Sequence, residues 1–482
     1  MHRILSLVVG LAIVTGALSA ADRPNILFIL TDDQAPWAVG AAGHPLAKTP
    51  HMDALFESGA YLSNSYTVTP VCSPSRTSLM TSRYGTEMGI TDWIRPYQQW
   101  EPETELGGTE WGLDPESIVW PRLLQEAGYE TTLIGKWHLG QPNFYHPTKF
   151  GFQSFMGHRH GGWATVDPIM EKGKRDQAFT GLTADILADE VITFLEKKRR
   201  KPFLCCWFTR APHTRWLPVS EEDAAPYANL SDADTPVPHP DYPNLDTERV
   251  KRMTREYFSS VRSVDRNLGR VLETLERQGL EENTIVIFSS DHGYNMGHNG
   301  IWHKGNGHWV VKPLPEVTNP NVPRGQRPNM YDTSILVPTA IRWPGVIEPG
   351  TVITETTTNL DWFPTVCAMA EIPVPDEAII RGRDLSPLLK GETVAGWDNA
   401  YYGEYSTLHQ SQTHMRCWRT NDYKLVRDFK NPERDEFYDL KNDPGETTNL
   451  IATGDAALQQ VIATFDERIR ERMAEIGDDI LK

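Results

Sequence analysis

Three observations predict an α/β fold built on a large, mostly parallel sheet flanked by helices. Four strand-like runs stand at residues 25–30, 131–134, 203–208 and 284–288; the first is continuously apolar and the last repeats its design, the pattern of strands covered on both faces. Helical patterns separate them. Each run ends in polar residues, and the carboxyl edge of such a sheet is where ligands bind.

The first run ends in Thr31-Asp32-Asp33. The second ends in Gly135-Lys136-Trp137-His138, which in an extended segment puts Lys136 and His138 on the same side. The third leads into Thr209-Arg210-Ala211-Pro212-His213, and the fourth into Ser289-Ser290-Asp291-His292-Gly293. A glycine-containing stretch, 297–305, follows and is able to fold Lys304 back over that edge. Helices are predicted over 117–127, stopped by Gly128, over 182–198 and over 256–278. Beyond Pro364 the pattern changes. Residues 415–419 and 423–427 flank Thr420-Asn421-Asp422 as a hairpin would, and a helix begins at about Ala456. The expected division is a leader at 1–21, a catalytic domain at 22–365, and a smaller α+β domain at 366–482 built on an antiparallel sheet.

The leader has Arg3, an apolar run at 4–18 and small residues at 19–21, which read as a secretory signal peptide cleaved near Ala20 or Ala21. That run is short for a bilayer, so a mature protein without a membrane span, periplasmic or extracellular, is expected. A net charge of -17 provides no broad positive field for nucleic acid, though it leaves room for a small basic pocket. The five cysteines are too few for a disulfide scaffold, and their odd number leaves at least one unpaired within the chain. Cys205 and Cys206 are expected as small buried hydrophobes inside a strand.

One stretch concentrates the chemistry: Cys72-Ser73-Pro74-Ser75-Arg76. Ser73 is predicted to cap a helix with Pro74 in its first turn, so that Cys72 lies at the positive end, where an anion is favoured. Asp32, Asp33 and Asp291 would repel one another unless a cation joined them. Oxygen ligands suit Ca2+ before Mg2+, and a nitrogen from His292 leaves Mn2+ or Zn2+ open. Lys136, His138, His213 and Lys304 supply the opposite charge and proton-transfer capacity.

The ordered set of Asp32-Asp33, Cys72-Ser73-Pro74-Ser75-Arg76, Gly135-Lys136-Trp137-His138, Ala211-Pro212-His213, Ser290-Asp291-His292-Gly293 and Lys304 resembles the type I, formylglycine-dependent sulfatases. Tyr438-Asp439-Leu440-Lys441-Asn442-Asp443-Pro444-Gly445-Glu446 is similar to the family's C-terminal region. The resemblance implies an alkaline-phosphatase-like fold and a maturation enzyme that oxidises Cys72 to formylglycine. It implies one Ca2+ held by Asp32, Asp33, Asp291 and His292 together with the modified Cys72. It further implies that Arg76 supports the formylglycine, Lys136 and Lys304 bind sulfate oxygens, and His138 and His213 transfer protons, with His213 also at the substrate.

The expected activity is hydrolysis of a sulfate ester, with a sulfated carbohydrate as substrate. Alternatives are a phosphonate monoester or phosphodiester hydrolase of the same superfamily, and a non-catalytic binder of sulfated glycans. Trp93, Trp100 and Trp111, a proline-rich stretch at 308–328 without strand or helix period, His158-Arg159-His160 and Arg215-Trp216 are candidates for the substrate rim. The basic run at 196–201 reads as a solvated helix end.

Overall fold

A computed structural model describes residues 23–96, 111–317 and 319–481. The expected leader and Trp100 lie outside the described residues. The strands are β1 (Asn25–Thr31), β2 (Ala60–Leu62), β3 (Ser65–Tyr66), β4 (Glu130–Lys136), β5 (Ser154–His158), β6 (Ile169–Lys172) and β7 (Arg175–Ala178). They continue as β8 (Phe203–Phe208), β9 (Thr284–Ser290), β10 (Asn295–Met296), β11 (Ile301–His303), β12 (Asn306–Trp309) and β13 (Gln326–Pro328). The remainder are β14 (Ala340–Arg342), β15 (Thr351–Ile353), β16 (Thr357–Thr358), β17 (Tyr401–Thr407), β18 (Thr413–Arg419), β19 (Tyr423–Asp428) and β20 (Glu436–Asp439).

The large sheet runs β15-β2-β14-β9-β1-β8-β4-β5-β6-β7. Its centre is parallel: β1 lies between β9 and β8, and β8 pairs with β4. Antiparallel strands enter at β14 and at the β5-β6-β7 end. The four predicted strands are those central four, and the packing of β1 explains why its sequence is unbroken. Ile26, Phe28 and Leu30 pack into a cluster with Trp120, Leu133 and Trp362, while Leu27 and Ile29 pack into another with Trp207, Tyr257 and Phe288. Both faces are covered, so no position along the strand favours a polar residue.

The helices adjust the expected limits. The first observed segment, Trp120–Glu126, is shorter than predicted, and Gly128 follows it at φ 98°. The second, Thr183–Leu195, leaves the basic run beyond its end, where the Arg199 guanidinium lies over Phe194 and Phe203. The third, Thr247–Arg277, begins nine residues before its predicted start at 256; the Asp246 side chain accepts from Arg249 N.

The stretch at 308–328 is not wholly without strand structure. Its two ends belong to β12 and β13, which with β10 and β11 form a separate antiparallel sheet. The C-terminal hairpin is present as β18 and β19, within an antiparallel sheet β17-β18-β19-β20, and Ala456–Glu475 forms the closing helix behind an Asp455 cap. All five cysteines are free and buried, Cys205 and Cys206 among them.

Gly135 sits at the end of β4 with φ 116°, and a Cβ there would overlap the Phe208 carbonyl oxygen of β8. Gly135→Ala is expected to destabilise the protein by roughly 2 kcal/mol or more. Denaturant unfolding would measure it, and an unchanged midpoint would contradict this account.

Candidate active site

Four segments bring their polar ends to one edge of the large sheet. Asp32 and Asp33 follow β1, Lys136 ends β4, His213 follows β8, and Asp291 and His292 follow β9. The helix Cys72–Thr81 meets them there, with Cys72 as its first residue. Ser73 is not its cap, contrary to expectation. Val71 occupies that position with an extended backbone, and the Ser73 hydroxyl instead accepts from Ile94 N at 2.9 Å.

The three carboxylates are almost without solvent contact, Asp32 and Asp33 at 0% exposure and Asp291 at 2%. Each faces a cation. Lys136 Nζ lies 2.6 Å from Asp32 Oδ2, Lys304 Nζ 2.7 Å from Asp33 Oδ1, and Arg76 Nη2 3.0 Å from Asp291 Oδ2. Burial raises all three acids. For Asp32 the charges of Lys136, His213 and Lys304 outweigh burial and hold it well below the usual carboxylate range. Asp33 is lowered in the same way by His213 and Lys304. Burial prevails at Asp291, pushed up to about 6.

Cys72 Sγ lies 3.0 Å from Lys304 Nζ, 3.4 Å from His292 Nε2 and 3.7 Å from Asp32 Oδ1. Burial raises the thiol, but Lys136 and Lys304 outweigh it and hold it well below its ordinary range. His292 Nδ1 is bonded to the Gly293 carbonyl at 3.0 Å, which turns Nε2 toward Asp33 Oδ1 and Asp291 Oδ1, 3.3 Å from each. Ligand atoms of Asp32, Asp33, Cys72 and His292 all fall within 4.8 Å of one another. Asp291 is engaged beside them: its Oδ1 accepts from Asp33 N at 3.3 Å, while Oδ2 holds Arg76.

His138 departs from the predicted geometry. The extended run ends at Lys136, and His138 itself has φ 58°, so a backbone period of two does not describe how the pair is placed. Lys136 reaches the buried floor, whereas His138 lines the cavity and its Nε2 lies 3.1 Å from the Ile94 carbonyl oxygen. Burial and the Lys136 charge push His138 down to about 4. His213 is also lowered by burial, and its Nε2 stands 3.8 Å from Asp33 Oδ2. The cavity over this floor measures about 220 Å3 and is lined by Cys72, Trp93, His138, His213, His303 and Lys304 among others.

A family model described as Sulfatase matches residues 24–372, more than half of the chain. The chain belongs to the sulfatase family. A second model, for the C-terminal region of N-sulphoglucosamine sulphohydrolase, matches residues 326–475 of the sulfatase. An N-acetylglucosamine-6-O-sulfatase of Bacteroides thetaiotaomicron is 28% identical, over 91% of this chain and 84% of the relative. An ulvan-active sulfatase of Formosa agariphila is 27% identical, over 95% and 82%. The fold is shared, at TM-score 0.76 and 24% identity, with a solved protein in complex with its substrate D-glucosamine-2-N,6-O-disulfate; the match covers 95% of this chain and 99% of that one. The sulfatase is accordingly a sulfuric ester hydrolase with the alkaline-phosphatase-superfamily fold.

Several contacts around the site of the sulfatase carry no local sequence signal. Ser75 donates to the Asp291 carbonyl and accepts from Thr67 and Asn359, locking the first turn of the helix beneath the acids. Asn306 and Gln410 join the cavity wall from β12 and from the β17–β18 turn. Of the proposed rim, Trp93 lines the cavity, its ring 4.4 Å from that of His409, and Trp111 lies under the Arg95 guanidinium. His158 is buried and stacks on Trp163, and Trp216 is buried against Tyr257, Tyr294 and Trp302, so neither is an exposed rim residue.

Gly161 packs so closely on His138 that a Cβ would overlap the imidazole. Gly161→Ala is expected to slow sulfate release by roughly 10–100-fold through displacement of that ring. Its melting temperature should stay near that of the parent; full activity would remove His138 from the reaction.

Proposed function

We propose that this sulfatase releases inorganic sulfate from a sulfated carbohydrate, with formylglycine made from Cys72 supplying the nucleophile. The observation that carries the reading is the placement of Cys72 Sγ within 3.0–3.7 Å of Lys304, His292 and Asp32, on a buried floor at a sheet edge. The names of the relatives, one acting on N-acetylglucosamine sulfate and one on ulvan, support a sugar as the leaving group. The N-terminal leader pattern supports export, after oxidation of Cys72 by a formylglycine-generating enzyme.

The donor set fits a divalent cation. Asp33 Oδ2 is buried with no hydrogen-bond partner, and carboxylate oxygens predominate among the candidate ligands. Asp32, Asp33, Asp291 and His292, with residue 72, would hold Ca2+, which supplies charge stabilisation as a Lewis acid. Formylglycine, hydrated, supplies two hydroxyls on one carbon, one to attack sulfur and one whose deprotonation frees the sulfate.

The remaining steps belong to the chain's own side chains. Lys136 and Lys304 bind the sulfate oxygens and stabilise charge gathering there, and Arg76 holds Asp291 in place. His213, at the cavity wall, gives a proton to the departing sugar oxygen with Lys304 assisting. His138, kept neutral by burial, is ready to accept the proton whose loss frees sulfate.

Two experiments test this reading. Peptide mass spectrometry of the mature protein is expected to find the aldehyde at position 72, and Cys72→Ala to lose about 1,000-fold or more in sulfate release. Full activity with an unmodified thiol would overturn the nucleophile. Asp33→Asn is expected to lower bound calcium, measured by elemental analysis, together with activity. An aryl phosphodiester hydrolysed much faster than the matching aryl sulfate would favour the phosphonate and phosphodiester hydrolases instead.

A further inference from the structure

The cavity wall is uneven in charge. Lys304 is the one Lys or Arg among its described lining residues, and its Nζ is already directed to Asp33 and Cys72 on the floor. The wall otherwise includes Trp93, Ile94, Pro96, His303, Asn306 and Gln410. His303 is pushed down to about 3 by burial and the Lys304 charge, so it stands as a neutral ring.

Arg95, between the wall residues Ile94 and Pro96, lies over Trp111, and three further cations of neighbouring segments are engaged elsewhere. Arg159 bonds Asn143 and pairs with Glu171, and Arg210 donates to the carbonyls of His213, Thr214 and Arg215. Arg327 pairs with Glu436.

The polar groups of the wall are donors and acceptors held in fixed directions. Asn306 Oδ1 accepts from His303 Nδ1 at 2.8 Å, leaving the Asn306 amide N–H groups and His303 Nε2 available. Gln410 Oε1 accepts from Gln326 Nε2 at 2.9 Å, leaving the Gln410 amide N–H groups available. Trp93 adds an aromatic surface. Such a wall suits hydroxyl and acetamido oxygens. The volume, about 220 Å3, is below the roughly 300–1,000 Å3 of sites for drug-sized ligands, which suits a single ring.

We propose that the preferred substrate is a sugar ring carrying the scissile sulfate as its only charge, and that rings with a second sulfate or a uronate carboxylate are rejected. This rests on the carbohydrate sulfatase reading above. A second anion entering this wall loses water and gains no cation, and an unpaired buried charge is costly. Discrimination then comes from what the cavity withholds as much as from what it offers.

The test compares kcat/KM for released sulfate on the matured enzyme. Its panel is galactose and N-acetylglucosamine monosulfates, D-glucosamine-2-N,6-O-disulfate, a sulfated uronate disaccharide and an aryl sulfate. At least one neutral monosulfate is expected to exceed both doubly charged sugars by on the order of tenfold or more. Gln410→Lys is expected to narrow that ratio by about tenfold, chiefly through KM for the disulfate. Equal or better cleavage of the disulfate or uronate, cleavage of the aryl sulfate alone, or no change of ratio in Gln410→Lys would overturn the proposal. In each of those outcomes sulfate is still released, and product mass spectrometry on the disulfate assigns it to the 6-O-ester or the 2-N-sulfamate, so desulfation itself stands. No sulfate from any member of the panel would overturn the desulfation reading, and this inference with it.

Discussion

Three carboxylates held out of water at one edge of a sheet set the terms for everything around them. Desolvation alone would load Asp32, Asp33 and Asp291 with protons; each is met instead by a buried cation from a different part of the chain. Lys136 comes from β4, Arg76 from the helix that starts at Cys72, and Lys304 from the turn after β11. Taking away one member of such a buried pair leaves an uncompensated charge, at a cost of about 3–5 kcal/mol. The edge therefore forms only when these elements arrive together, which binds chemistry to folding.

What was legible in the sequence follows from burial. The central strands are covered on both sides, so β1, β8 and β9 stand out as apolar runs with polar residues directly after them, while the threonines of β4 make it less distinct. The long helix was only partly legible. Residues 247–255 are crowded with Lys, Arg, Glu and Thr, which conceals the buried set of Val250, Met253 and Thr254 that continues to Tyr257. The turn at His138 was missed because an extended backbone was assumed where Gly135 and His138 take positive φ.

Other features were hidden because they depend on distant partners. Asn359 reaches Ser75 across 284 residues, and Gln326 orients Gln410 across 84. No local pattern announces such pairs. Ser73 shows a subtler limit: its type and place fit a cap, but the helix begins at Cys72 behind Val71 and the hydroxyl serves Ile94 instead. The same contact helps fix Ile94, which in turn meets His138.

The C-terminal sheet is tied to the body by buried ions. Asp332 receives Arg419 and Lys424, and Lys424 also reaches Glu446. The turn between β17 and β18 is fastened separately, since Asp92 Oδ2 accepts from Leu408 N and His409 N. This turn brings Gln410 to a cavity whose other described lining residues all belong to 71–306. Wall and floor thus share one stretch of polypeptide, completed by a single late residue. A change at Gln410 therefore alters that wall without touching the buried acids and their cations.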